Sequence, residues 1–335
     1  MRYRTSNKRL RTLSDWPSVL LTLAVCLLCR ISYYVAAPAD VLPDWASSWT
    51  FADRILTDRL ASDRLSACLA GFVITLLAAY LLQRISDAGT LIREHTRLPF
   101  MLFLALTGAS AGLLPVRIAV VLLCLVLVIH ELFRSYQQPE ATGHFFNAGA
   151  LMAFVGLIIP QIVWFVPLLW IGMYRFRSLS ARSFLASLAG MFIIGWIVAA
   201  WCLWRHDFSM IAALSRELAD FHILSAEKFG YSGIGSLVVV AMLVVSFFHI
   251  RAEAFGNSVR VRQMLFFLMN MSVWSFVPML LYGHSDALPA VLCLPASVLI
   301  ACFLENLRYG LRFVLYYFIL LSLVASFMLQ LWTSW

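Results

Sequence analysis

"FFNAGALMAFVGLIIPQIVWFVPLLWIGM", Phe145 to Met173, is the stretch that decides the fold. It runs without a single Asp, Glu, Lys or Arg. Its apolar residues are continuous, whereas a strand of a membrane barrel alternates apolar and polar positions, so the run reads as helix. A bilayer core takes about 20 apolar residues per helix, and fewer where helices are short or buried among others. Pro160, in "IIPQI", cannot continue a helix without the loss of a backbone hydrogen bond. The run therefore divides into two short helices, 145–159 and 161–174, joined as a tight hairpin. "LLPVR", Leu113 to Arg117, marks a second hairpin of the same kind at Pro115.

The rest of the chain has the same character. Of its 335 residues 62% are hydrophobic and 13% charged, and the mean hydropathy is +0.87. A soluble chain of this length needs far more charge to build a polar surface. The fold class is all-α and polytopic. Eleven apolar segments are long enough to count as spans: 16–37, 65–82, 98–114, 116–132, 145–159, 161–174, 184–204, 234–250, 263–282, 288–304 and 312–332. They form a single membrane domain over 1–335. Seven helices occupy 1–204 around a first outer loop at 38–64, a second outer loop covers 205–233, and four helices complete 234–335.

Orientation follows from the bias of arginine and lysine toward the cytoplasmic side. With the N-terminus inside, one side holds Arg2, Arg4, Lys8, Arg9 and Arg11, then the arginines at 84, 93, 97, 134, 175, 177, 182, 251, 260, 262, 308 and 312. The opposite side is mostly acidic. N-in, C-out topology follows. The net charge of +8 is a topology signal, and nucleic acid is not an expected partner. "APA" at Ala37 to Ala39 resembles a signal cleavage site. Arg30, Tyr33 and Tyr34 fit a cleavage region poorly, so the first span is expected to stay.

The seven cysteines, including the pair in "CLLC" at Cys26 and Cys29, all fall in or beside spans. They read as small buried hydrophobes. Ala186 and Gly190, in "FLASLAGMF", have small-xxx-small spacing and predict close helix packing.

Two sizeable outer loops follow spans one and seven, and each predicts an interfacial helix. In "APADVLPDWASSWTFADRILTDRLASDR", Ala37 to Arg64, a helix over 45–60 puts Trp45, Trp49, Ala52, Leu56 and Leu60 on one face. In 205–233, Ile211, Leu214, Leu218 and Phe221 form an apolar stripe opposite Arg216, Glu217 and Asp220. Both helices should lie on the outer leaflet.

This topology resembles that of the C-type glycosyltransferases, the enzymes that pass a sugar from a polyprenyl-phosphate carrier to an acceptor outside the cytoplasm. "TRLPFMLFLALTG" (Thr96 to Gly108), Phe145 to Met173 and "LSARSFLASLAGMF" (Leu179 to Phe192) are also similar to an uncharacterised family of Bacteroidota multi-pass inner-membrane proteins. The transferase resemblance implies an acidic residue of the first outer loop as general base or metal ligand. Asp40 and Asp44 hold that position. It also implies that Arg30, Arg117, Arg205 and His206 contact the carrier phosphate, where a cation offsets the growing charge. No cofactor is called for, and a divalent cation is the one addition the resemblance admits. Expected partners are membrane lipids, the polyprenyl-phosphate sugar carrier and an envelope protein complex.

Plainer readings stand beside each of these. Asp44 can cap a helix that starts at Trp45, and Asp40 can be a solvated loop acid. Arg205 and His206 can anchor the interface. Arg30, inside the first span, either faces a polar cavity or a partner, or snorkels outward. The usual adjacent Asp-Glu pair of the transferases is replaced here by "ADVLPD", which favours a non-catalytic subunit or scaffold of an envelope-biogenesis complex. Transport is the weaker rival, because no internal repeat is evident and the span centres are uncharged.

Overall fold

A computed structural model describes residues 16–36, 64–92, 96–109, 114–138, 140–206, 208–221, 233–253, 256, 258–282 and 288–333. Twelve α-helices follow in chain order among them: α1 (Trp16–Ala36), α2 (Arg64–Ala88), α3 (Leu98–Gly108), α4 (Val116–Arg134), α5 (Thr142–Ile158), α6 (Val166–Arg175), α7 (Ala181–Arg205), α8 (Ser209–Ala219), α9 (Gly233–Glu253), α10 (Val259–Leu281), α11 (Leu288–Asn306) and α12 (Tyr309–Thr333). A 3-10 segment, Pro160–Phe165, leads into α6.

Each of the eleven apolar segments contains helix among the described residues, the third only as far as Gly108. Seven of these helices are long and apolar enough to cross a membrane; α3 and α5 are apolar but shorter. The chain is therefore an α-helical, polytopic membrane protein. The sixth segment differs from expectation in form. It is not one helix but a 3-10 turn and a ten-residue α-helix, because Pro160 and Pro167 each remove a backbone donor from a continuous helix.

Local chemistry sets the helix ends. Pro115 precedes α4, and its carbonyl accepts from the amides of Ile118 and Ala119. Ser180 and Ser183 form a reciprocal capping box at the start of α7, with bonds of 3.1 and 2.7 Å, which satisfies two donors that an open helix end would leave bare. Pro278 and Pro295 lie inside α10 and α11 and are buried, a position membrane helices tolerate when neighbours satisfy the freed groups.

Helix α11 is the centre of the bundle: 89% of its membrane-length window is buried, against 22% for α7. It packs against α3, α9, α10 and α4. Helix α7 lies at the margin and packs chiefly on α5. Those two axes approach until backbone meets backbone. A Cβ on Gly149 would overlap the Ser187 carbonyl, and one on Gly190 would overlap the Phe146 carbonyl. The close packing predicted at Gly190 is present, with Gly149 as its counterpart.

Contacts also sort the helix ends into two sets. At one end Arg97 stacks on Trp16 at 4.2 Å, Arg260 lies over Tyr136, and Asn306 bonds His249 at 3.2 Å and also Glu253. The other end gathers Arg30 and Leu114, and separately Trp164, Leu218 and Tyr282. Each set contains only ends that an alternating passage of spans puts on one side. The first set carries the arginine-rich turns; the names inner end, for this set, and outer end, for the other, follow the orientation expected from charge bias.

Candidate functional site

Arg30 and Arg312 are the buried charges among the described residues, and Arg30 is 3% exposed within α1. Its guanidinium donates to the Leu114 carbonyl and to Thr75 Oγ1 at 3.5 Å. Nε is buried without a hydrogen-bond partner. Leu114 lies just before Pro115, and the first amides of α4 turn to the Pro115 carbonyl instead. The Leu114 carbonyl is therefore left over by the helix start, and Arg30 satisfies it. Gly71 makes room, since a Cβ there would overlap the guanidinium. Arg30 meets partners inside the bundle, one of the alternatives its position in the span allows. The side chain runs across to α2 and the α4 start and ties three segments together.

The other predicted phosphate contacts sit differently. Arg117 is exposed in the first turn of α4. Arg205 is exposed at the end of α7, 5.2 Å above the Trp201 ring, and His206 follows it, exposed and in the left-handed region at φ 52°. Among the described residues no hydrogen bond joins any two of Arg30, Arg117, Arg205 and His206. Asp40 and Asp44 lie outside the described residues, as does the helix expected over 45–60.

The outer end carries a cluster that sequence reasoning missed. Gln161, 2% exposed, donates to Glu217 Oε1 of α8 at 3.4 Å. Tyr282, fully buried after α10, donates to the Leu218 carbonyl at 2.6 Å and accepts from Trp164 Nε1 at 3.2 Å. Trp274 Nε1 donates to the Trp164 carbonyl at 2.7 Å, and the Phe221 ring lies 5.2 Å from that of Tyr282. Helix α8 exists as predicted, with Leu214 and Leu218 half-buried and Arg216 and Asp220 exposed. Glu217, placed on the solvent side by the stripe pattern, is half-buried and accepts from Gln161. The signal available was the lone glutamine within the apolar run of Phe145 to Met173.

Polar groups at the inner end are also paired. Glu131 and His144 meet side chain to side chain and tie α4 to α5. His144 lines an open hollow of about 840 Å³ together with Gln137, Gln138, Glu140 and Asn147. Gln83 bonds the Thr96 carbonyl at 2.8 Å and accepts from the Phe100 amide at 3.3 Å, so it fixes the start of α3. All seven cysteines are buried, and Cys26 packs where a Cβ on Gly108 would come within 2.8 Å. Among the described residues no group of three or more His, Cys, Asp or Glu could hold a metal ion.

A family model matches residues 57–334, nearly the whole length described above. The chain belongs to the family of unknown function DUF6427. This agrees with the similarity to an uncharacterised membrane family read from Thr96 to Phe192 and extends it over most of the DUF6427 member's length. No curated protein and no solved structure matches the chain. The likeness to C-type glycosyltransferases accordingly finds no support in the comparisons.

Proposed function

We infer that this DUF6427 member is a multi-pass protein of the bacterial inner membrane that serves an envelope-biogenesis complex as a non-catalytic membrane subunit. The proposed topology has eleven spans, with the arginine-rich end and N-terminus in the cytoplasm and the C-terminus in the periplasm, as charge bias favours. The supporting observation is the engagement of Arg30. Arg30, a cation buried inside the bundle, is bonded to Leu114 and Thr75 and packed over Gly71. Polar side chains used in this way specify how helices assemble. A subunit needs such a rigid body, with its partners bound at the ends or flanks.

A second reading is a polyprenyl-phosphate-dependent transferase. It is favoured by one observation, the exposure of Arg117, Arg205 and His206 at the outer end. In that reading they hold the carrier phosphate, and Asp40 or Asp44 takes the acceptor proton, with or without a divalent cation. The test is complementation of a deletion strain with Asp40→Asn/Asp44→Asn at matched protein level. A subunit retains full function in that variant. Loss of function with normal abundance and unchanged co-purification would select the transferase instead.

A further inference from the structure

We propose that Arg175, Arg251 and Arg262 hold the phosphate of an anionic phospholipid at the inner end of the bundle, with the lipid's acyl chains along the groove between α9 and α10.

Three helices bring these arginines together. Arg175 closes α6, Arg251 lies in the last turn of α9, and Arg262 lies in the first turn of α10. The guanidinium carbons of Arg175 and Arg251 are 5.8 and 5.9 Å from the centre of one ring, that of Phe266. Arg262 stands four residues before Phe266 and so shares its face of α10. A ring takes the flat face of a guanidinium and leaves the N–H donors on its edge for an acceptor.

Charge balance calls for an anion at this point. Among the described residues no carboxylate pairs with any of the three arginines. Glu253, the acid nearest to Arg251 in sequence, accepts from Asn306 instead, and residues 254–258 between α9 and α10 carry no charge. Like charges drawn to one ring repel unless a negative group lies between them. The other ring-stacked arginines of the inner end each take a ring of their own: Arg84 over Tyr80, Arg97 over Trp16 and Arg260 over Tyr136.

The groove favours a lipid as the source of that anion. Helices α9 and α10 both pack on α11, with little contact between the two, and Arg251 reaches across to Phe266. From Arg251, the exposed Phe248, Val244 and Leu237 continue along one face of α9. From Phe266, the exposed Val273 and Val277 continue along α10 in the same way. A cationic cluster at the end of the spans, with apolar lines running from it toward the membrane centre, matches a phospholipid in shape and charge. A soluble phosphate or an acidic peptide leaves the apolar lines unused. Basic pockets between spans on the cytoplasmic side hold anionic headgroups in this manner.

The test is native mass spectrometry of the full chain in detergent, titrated with phosphatidylglycerol or phosphatidylcholine. Wild type should retain phosphatidylglycerol in preference. Arg251→Gln should weaken that retention roughly fivefold, the worth of one arginine at an anionic surface, and Arg175→Gln/Arg251→Gln should weaken it further. Arg84→Gln/Arg260→Gln removes the same charge from the same end and should leave retention at the wild-type value. As a readout on the unaltered chain, a photoactivatable phosphatidylglycerol should crosslink to peptides of 237–253 and 259–277. Equal retention of the two lipids, an equal loss in both double variants, or crosslinks confined to other helices overturns the site. So does release of the lipid by inorganic phosphate relative to chloride at equal ionic strength, which would make the ligand a free anion.

Discussion

At the scale of the residue, Arg30 carries the most information. Its charge inside a span was legible at once, because intramembrane arginine is rare and engaged when present. Its partner was not. The Leu114 carbonyl is bare only because Pro115 opens α4, and Gly71 is required only because a guanidinium lies against it. Both causes are long-range, 84 residues in the first case. Arg30→Ala leaves that carbonyl unsatisfied and opens a void, so it should cost about 2–4 kcal/mol of stability. Gly71→Ala should be destabilising in the wild-type chain and nearly harmless beside Arg30→Met. A double-mutant cycle by steric trapping or thermal melting should give a coupling of about 1–3 kcal/mol; additive effects would mean that the two residues do not meet. Tyr316→Phe, which removes only the 2.6 Å bond to Thr22, should cost about 0.6 kcal/mol, the usual size of a hydrogen bond between membrane helices.

Among elements, the pairing of α5 with α7 shows what spacing can reveal. Small residues at Ala186 and Gly190 announced a close crossing, and Gly190 does lie against the Phe146 carbonyl. The pattern could not name Gly149 as the reciprocal notch, since helix spacing carries no information about the partner helix. Gly195 is an internal control on the same helix, with nothing within 4 Å of an added Cβ. Gly195→Ala should be neutral or stabilise by up to about 1 kcal/mol through helix propensity. Gly190→Ala should be destabilising despite the same gain in propensity, because backbone rather than a flexible side chain blocks the methyl. Equal melting temperatures for the two variants would refute the crossing. Helix α8 illustrates the opposite case. Its amphipathic stripe correctly announced a helix, yet Glu217 on the polar side accepts from Gln161. A stripe read from apolar residues alone misses a polar anchor whose partner lies 56 residues away.

The whole molecule is the scale at which sequence was most informative. Continuous apolar runs located every described helix but the amphipathic α8, because hydropathy in a bilayer leaves few alternatives for the backbone. Less legible was the internal hierarchy. Hydropathy hardly distinguishes Leu288 to Asn306 from Ala181 to Arg205, yet one is the buried centre and the other the margin. Burial order depends on which faces meet, and that is a property of the assembled bundle. The candidate site was legible in part: Arg30 stood out as a charge, whereas Gln161 and Tyr282 acquire their meaning only where α6, α8 and α10 come together.

The account depends on a bundle whose arginine-rich end faces the cytoplasm. The most direct measurement is cysteine accessibility in intact cells with a membrane-impermeant maleimide, since all seven native cysteines are buried. Arg117→Cys and Arg205→Cys should be labelled without permeabilisation, and Arg134→Cys and Arg177→Cys only after it. Labelling of all four from outside, or the reverse pattern, would contradict the topology.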